Sequence, residues 1–352
     1  MGKLYCGNCK TEVTQRLCKQ GKAPNCKGCG KELPYGIDQS SDFTVAIVGP
    51  KAVGKTQYIA MLIRTLQTSF AREFGTSLSP ATEFTTKKQK YNMQKLFIDK
   101  EVVPETDSIE ASDSTDASRS VGEPYIYYLR KPKLFGGVKC ITLVFYDTAG
   151  EDLKDSSSIT SKISAYLGNA DGIIYLADPL QFDYVRSCLD PSLYPSIKEQ
   201  DITEVLNRLT RVVREHRGLK NNESIPAKLA IVLTKSDVLL QENDRSSNSK
   251  FDFEHARVPR KTGSVDIENL DKVSQEISEF IDVVTESEFN SAVSVDFPDH
   301  HYFLVSSLGQ NPEKLNSSEA RVMLKSQPTA FRVEDPLVWI LYATKSGMVG
   351  GK

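Results

Sequence analysis

Short apolar runs recur along this chain at Phe43–Val48, Lys139–Tyr146, Gly172–Ala177, the first half of Lys228–Asp237, and His300–Ser307. They are rich in β-branched and aromatic residues and show little polar alternation, the pattern of strands buried on both faces of a sheet. Helix-compatible segments lie between and after them at Lys55–Phe70, Thr82–Lys100, Ile202–His216 and Asp266–Val284, and Pro336–Thr344 fits a closing helix against the sheet. Tyr125–Arg130 and Lys139–Tyr146 pair as an antiparallel hairpin across a turn at Gly136-Gly137. Strands alternating with helices predict an α/β fold: a doubly wound, mostly parallel sheet with one antiparallel strand.

Two polar stretches interrupt the pattern. Glu105–Ser120 (ETDSIEASDSTDASRS) is acidic, rich in Ser and Thr and nearly free of apolar residues, so it cannot bury itself and is expected to order only around a ligand. It sits in an insertion around residues 71–124. Gln241–Ser264 reads as a second polar insertion and is expected to be a loop.

The strand ends carry the chemistry. Val45–Thr56 (VAIVGPKAVGKT) runs from an apolar strand through Gly49 and four further residues to Gly54, Lys55 and Thr56, with a helix following. That order is the context of a phosphate-binding P-loop: the glycines let amides turn inward at a helix N-terminus whose dipole favours an anion. Lys55 adds a charge for the β- and γ-phosphates, and the Thr56 hydroxyl can ligate Mg²⁺. Lys51, Ala52, Val53 and Gln57 complete the expected nucleotide-contacting set. Further along, an apolar strand ends in Thr234-Lys235-Ser236-Asp237. A carboxylate at Asp237 matches the N1–H and N2–H edge of guanine, and adenine has no such donor pair. The Lys235 stem can lie along the base while its ammonium stays wet. Ile141–Glu151 (ITLVFYDTAGE) ends a strand at Asp147, placed to hold Mg²⁺ through water, and Gly150 lets an amide approach the γ-phosphate. The last apolar strand leads to Ser306, Ser307 and Leu308, whose amides could meet the guanine carbonyl.

GPKAVGKT, DTAGE, TKSD and SSL, in that order, resemble the first, third, fourth and fifth nucleotide boxes of Ras-like P-loop GTPases of the TRAFAC class. The longer layout is similar to the double-GTPase type found in bacterial conflict and defence gene clusters. The resemblance implies a GTP-binding molecular switch with Mg²⁺ that hydrolyses GTP to GDP and presents its GTP state to a protein partner. On that reading Lys55, Glu151 and a switch I threonine are catalytic, and Thr56, Asp147 and that threonine hold Mg²⁺. Thr106 is the first choice for the threonine and Thr115 the second. Three departures from the Ras pattern stand out. Lys51 replaces a small glycine, Glu151 replaces the glutamine that orients water, and the interval from Thr56 to Asp147 is long. A carboxylate near phosphate is repelled unless protonated or paired, so slow turnover is expected.

Cysteines add a second unit. Cys6-x-x-Cys9 and Cys26-x-x-Cys29 are separated by 16 intervening residues, the spacing of a four-cysteine zinc ribbon. So short a ribbon buries little core and takes its folding energy from Zn²⁺. The expected organisation is a ribbon over 1–33, a linker over 34–42 and the G domain over 43–352. Cys18 reads as a spare thiol, and Cys140 and Cys188 as ordinary small apolar residues. The ribbon is locally basic through Lys3, Lys10, Arg16, Lys19, Lys22, Lys27 and Lys31, with few aromatics, which favours a solvated face or protein docking over base stacking. A net charge of −2 speaks against a nucleic-acid partner, and no apolar run has the length of a membrane helix. A cytoplasmic protein with a protein effector or regulator is expected. The competing readings are a GTP-binding scaffold with negligible hydrolysis and a zinc-ribbon nucleic-acid module gated by nucleotide.

Overall fold

The apolar runs form five adjacent strands of one sheet. The computed structural model describes residues 5–13, 25–34, 37, 40–50, 52–104, 123–147, 157–189, 201–245, 251–314 and 322–350. Its strands are β1 (Ser41–Val48), β2 (Ser77–Pro80), β3 (Tyr125–Pro132), β4 (Val138–Asp147), β5 (Gly172–Ala177), β6 (Lys228–Leu233) and β7 (His300–Leu304), in the order β2-β3-β4-β1-β5-β6-β7. The pairs β1–β4, β1–β5, β5–β6 and β6–β7 are parallel, while β3 is antiparallel to both of its neighbours. β3 is therefore the single reversed strand, as the hairpin at Gly136-Gly137 implies, and both glycines there take positive φ.

Helices cover both faces. Along β1 the side chains alternate: Val45 and Ile47 pack with Tyr58, Ile59 and Leu62 of α1 (Lys55–Gln67) and with Trp339 of α11 (Asp335–Ala343). Ala46 and Val48 face the opposite layer, with α4 (Ser157–Gly168), α6 (Ile202–Arg217) and α9 (Ile267–Val284). α6 starts where Asp201 Oδ1 accepts from Thr203 N at 2.8 Å, and it buries Val205, Leu206, Leu209, Val212 and Val213 on one stripe. Asp266 caps α9 in the same way.

After α1, the short α2 (Ser69–Phe74) leads into β2, an edge strand that the sequence pattern does not predict. α3 (Glu83–Met93) continues through a π-helical turn, Gln94–Asp99, and ends at Lys100 in left-handed conformation, close to the expected span of Thr82–Lys100. α5 (Asp183–Cys188) precedes α6, and α10 (Glu288–Asp296) leads into β7.

The reading of Gln241–Ser264 as a polar loop needs correction. α7 (Ser236–Arg245) carries its beginning, and α8 (Glu254–Arg257) lies within it. Phe251 and Phe253 are fully buried, with ring centroids 6.0 and 5.4 Å from Phe280. Two aromatics in a polar stretch carry more transfer free energy than its charge count suggests. Arg260 reaches Glu73 at 3.0 Å, Glu334 at 2.9 Å and Asp335 at 3.3 Å, joining this segment to α2 and α11.

The stretch expected as a linker is packed where it is described. Ile37 and the adjoining Leu33 are buried with Cys6, Val13 and Cys26, and β1 begins at Ser41. Lys10, expected on a solvated basic face, is buried. Its ammonium lies 3.2 Å from Asp42 Oδ2 and also donates to Thr44 Oγ1.

Candidate functional site

The loop after β1 is shaped by backbone crowding. A Cβ on Gly49 would stand 2.5 Å from Leu176 O of β5, so only glycine lets β1 leave the sheet there. Gly54 has φ 92° and Ala52 φ 61°, the left-handed turns that curl the loop ahead of α1. Lys55 opens α1 with its ammonium folded back to Gly49 O at 2.9 Å and Pro50 O at 2.7 Å. The first turn of α1 holds no acidic side chain and no side-chain cap, so no carboxylate of its own opposes an anion at that helix end. Thr56 and Gln57 follow, both buried, and Gln57 Nε2 donates to Val103 O at 2.6 Å.

The loop after β6 meets the first one. Thr234 Oγ1 lies 3.2 Å from both Val53 O and Ala177 O, joining the two loops to the end of β5. Lys235 has φ 51°, and its ammonium is 2.5 Å from Asp178 Oδ2. Asp178 is itself fixed by accepting from Leu180 N at 3.0 Å. Asp237 lies in the first turn of α7 and accepts from Ser306 Oγ at 2.5 Å. Burial pushes the Asp237 carboxyl above its ordinary value, against the opposing hydrogen bond from Ser306.

The loop after β7 refines one expectation. Ser306 N donates to Phe331 O at 3.1 Å and its hydroxyl accepts from Gly309 N at 2.9 Å, so its amide is already engaged. Among the described residues the Ser307 and Leu308 amides have no such partner and are the better candidates for a carbonyl ligand. Asp147 ends β4 in register with Ile47, which puts its backbone at the same edge of the sheet. Lys51, Thr106, Thr115, Gly150 and Glu151 lie outside the described residues. Sequence reasoning missed Asp178, although it closes an apolar strand as Asp147 does.

A second constellation lies at the other end of β1. The sulfurs of Cys6, Cys9, Cys26 and Cys29 all fall within 4.8 Å of one another. Each pair sits in the same kind of turn: Lys10 N donates to Cys6 O, Gly30 N to Cys26 O, and both residues after the turn have positive φ. Gly28 N points at Cys26 Sγ at 3.3 Å. Burial raises the Cys6 and Cys29 thiols. Burial acts against Cys9 ionisation too, but hydrogen bonds with Thr11, Cys29 and Cys26 together outweigh it and bring that thiol down to about 7. Four converging thiols with amides aimed at sulfur suit tetrahedral Zn²⁺.

Together these features define a P-loop-type α/β protein with a four-cysteine cluster at its N-terminus. Residues 44–289 match the Double-GTPase 2 family, and the chain belongs to that family. It is 28% identical over 217 residues to SaeC of Mycolicibacterium smegmatis, a protein named for a proposed role in ESX-1 scaffolding and assembly. That match covers 61% of this chain and 51% of SaeC, so the chain spans about half the length of that relative. Among solved structures it is similar to the GTPase-like domain of S. cerevisiae Ski7, bound to GTP in one structure and to GDP and inorganic phosphate in another. Both are 12% identical, with TM-scores of 0.36 and 0.34, and each match covers 87% of this chain and 50% of that one.

Proposed function

We propose that this chain is a GTP-hydrolysing molecular switch that reads guanine through Asp237 and holds the phosphates in the loop from Gly49 to Thr56. The observation that carries this reading is the Thr234 hydroxyl between Val53 O and Ala177 O, which brings the candidate phosphate and base loops to one sheet edge. The family membership supports the same nucleotide. Lys55 and the amides around Gly54 would hold the β- and γ-phosphates, with Lys51, Ala52 and Gln57 beside them. The Thr56 hydroxyl and the Asp147 carboxylate are suited to Mg²⁺, whose chemistry is to neutralise charge on the β- and γ-oxygens. Lys235 would cover one face of the base, and the Ser307 and Leu308 amides its carbonyl. Thr106, Gly150 and Glu151 are proposed to complete the γ-phosphate side.

Cys6, Cys9, Cys26 and Cys29 would hold one structural Zn²⁺. A protein effector is the proposed partner in a cytoplasmic setting, and the naming of SaeC for scaffolding and assembly supports a protein rather than a nucleic acid. The test is nucleotide binding followed by single-turnover hydrolysis by the purified chain. Tight GTP binding, weak ATP binding and slow hydrolysis that Glu151→Gln alters would support the switch. GTP binding with no turnover in the presence of Mg²⁺ would leave a GTP-binding scaffold instead.

A further inference from the structure

The turn between β3 and β4 presents an apolar tip to solvent. Leu134 is 98% exposed, Phe135 is fully exposed, and Val138 is 57% exposed. A single exposed leucine is ordinary, but adjacent Leu and Phe at the apex of a protruding hairpin are not. The turn is closed by backbone hydrogen bonds: Lys133 N donates to Gly137 O at 3.0 Å, Gly136 N to Lys133 O at 3.2 Å, and both glycines hold positive φ.

Cations ring it. Arg130, Lys131, Lys133 and Lys139 flank the apex, and among the described residues none of them pairs with a carboxylate. Lys131 stands directly opposite Lys139 in the strand register, a like-charge pair that weakens a hairpin unless an anion lies near. Lys131 is instead bonded to Met348 O at 2.9 Å, and burial together with Lys139 lowers its basicity.

We propose that this hairpin is a membrane-contact wedge, with Leu134 and Phe135 entering the acyl boundary of an anionic phospholipid surface and the exposed Lys133 beside them meeting its headgroups. Apolar side chains below a ring of cations match the layering of that interface. A convex tip has no cavity to hold a small ligand, and a bilayer demands depth and charge rather than a shaped pocket. No helix among the described residues is long and apolar enough to cross a membrane, which concerns spanning and not surface contact. β4 runs ten residues from Val138 beside the wedge to Asp147. At a strand's rise per residue the nucleotide edge lies about 30 Å away, facing from the bilayer.

Co-sedimentation of the full chain with phosphatidylcholine vesicles, with and without phosphatidylserine, tests this. The expected result is pelleting only with phosphatidylserine, weakening as salt rises. Leu134→Ser combined with Phe135→Ser should lower the bound fraction about tenfold, and Lys133→Glu should lower it too. All three substitutions are at exposed positions, so melting temperature should not change. Emission from Phe135→Trp should shift to the blue on phosphatidylserine vesicles. Failure of the wild type to pellet, unchanged pelleting of the double variant, or unshifted emission from vesicle-bound Phe135→Trp each overturns the wedge. So does lipid-free self-association that the double variant abolishes, which would assign the tip to a second copy of this chain.

Discussion

Ser306 Oγ donates to Asp237 Oδ1 at 2.5 Å, although the two residues are far apart in sequence and follow different strands. The same oxygen accepts from Gly309 N. One hydroxyl therefore orients the candidate base-reading carboxylate and shapes the loop after β7.

Base selection should depend on that carboxylate. Asp237→Asn is expected to weaken GTP binding at least about tenfold and to improve binding of xanthosine nucleotides, because an Asn amide can donate to the xanthine O2. Titration with fluorescent nucleotides measures both. Equal affinity of the wild type for ATP and GTP would remove Asp237 from base recognition.

Acidity should act through the same group. Burial raises the Asp237 carboxyl above its ordinary 3.8. For folding without nucleotide, a raised carboxyl contributes stability that is full below 3.8 and lost as pH rises through the folded-state value. For nucleotide the sign reverses, because guanine needs the carboxylate: affinity should fall as pH drops through that raised value. Ser306→Ala removes a bond to the ionised form, so its loss of affinity should begin at higher pH than in the wild type. Superimposable pH profiles would refute the coupling.

Metal and G domain should separate in binding but not in stability. Native mass spectrometry is expected to find one Zn²⁺, absent when Cys6 and Cys9 become Ser, with GTP binding retained. The ribbon nevertheless rests on the sheet: a Cβ on Gly7 would fall 2.6 Å from Ile126 Cδ1, and Lys10 pairs with Asp42. Metal loss should therefore lower the melting temperature of the whole chain. Lys10→Met should destabilise by about 3 kcal/mol, the scale of breaking a buried ion pair. A metal-free variant that melts like the wild type would show the two units to be independent.

Neighbouring cations should differ sharply. Arg260 is a partly buried hub for Glu73, Glu334 and Asp335, whereas the Lys261 side chain is 74% exposed. Arg260→Met is expected to destabilise by about 3–5 kcal/mol, because it strands acidic groups in the interior. Lys261→Met should stay within about 0.5 kcal/mol. Denaturant unfolding of both variants decides the comparison.

What the chain revealed beforehand follows from what periodicity encodes. The central strands, α6, α9, α11 and the reversed hairpin were legible because apolar spacing and turn glycines are local signals. The cysteine cluster was legible because two-residue spacing is itself the geometry of metal binding. β2, the burial of Phe251 and Phe253 and the hub at Arg260 were not, because each depends on partners many residues away. Lys10 misled for the same reason, since a lysine in a basic segment reads as solvated until Asp42 is seen beside it. Asp178 was overlooked because its role appears only once Lys235 is seen to reach it.

That last contact has a consequence for kinetics. Lys235 holds a left-handed backbone and sets its ammonium 2.5 Å from Asp178 Oδ2. If Lys235 covers the base as proposed, an arriving base would meet a wall already tethered to Asp178. Discrimination in such a slot falls on how long each nucleotide stays, with association left nearly indifferent to the base.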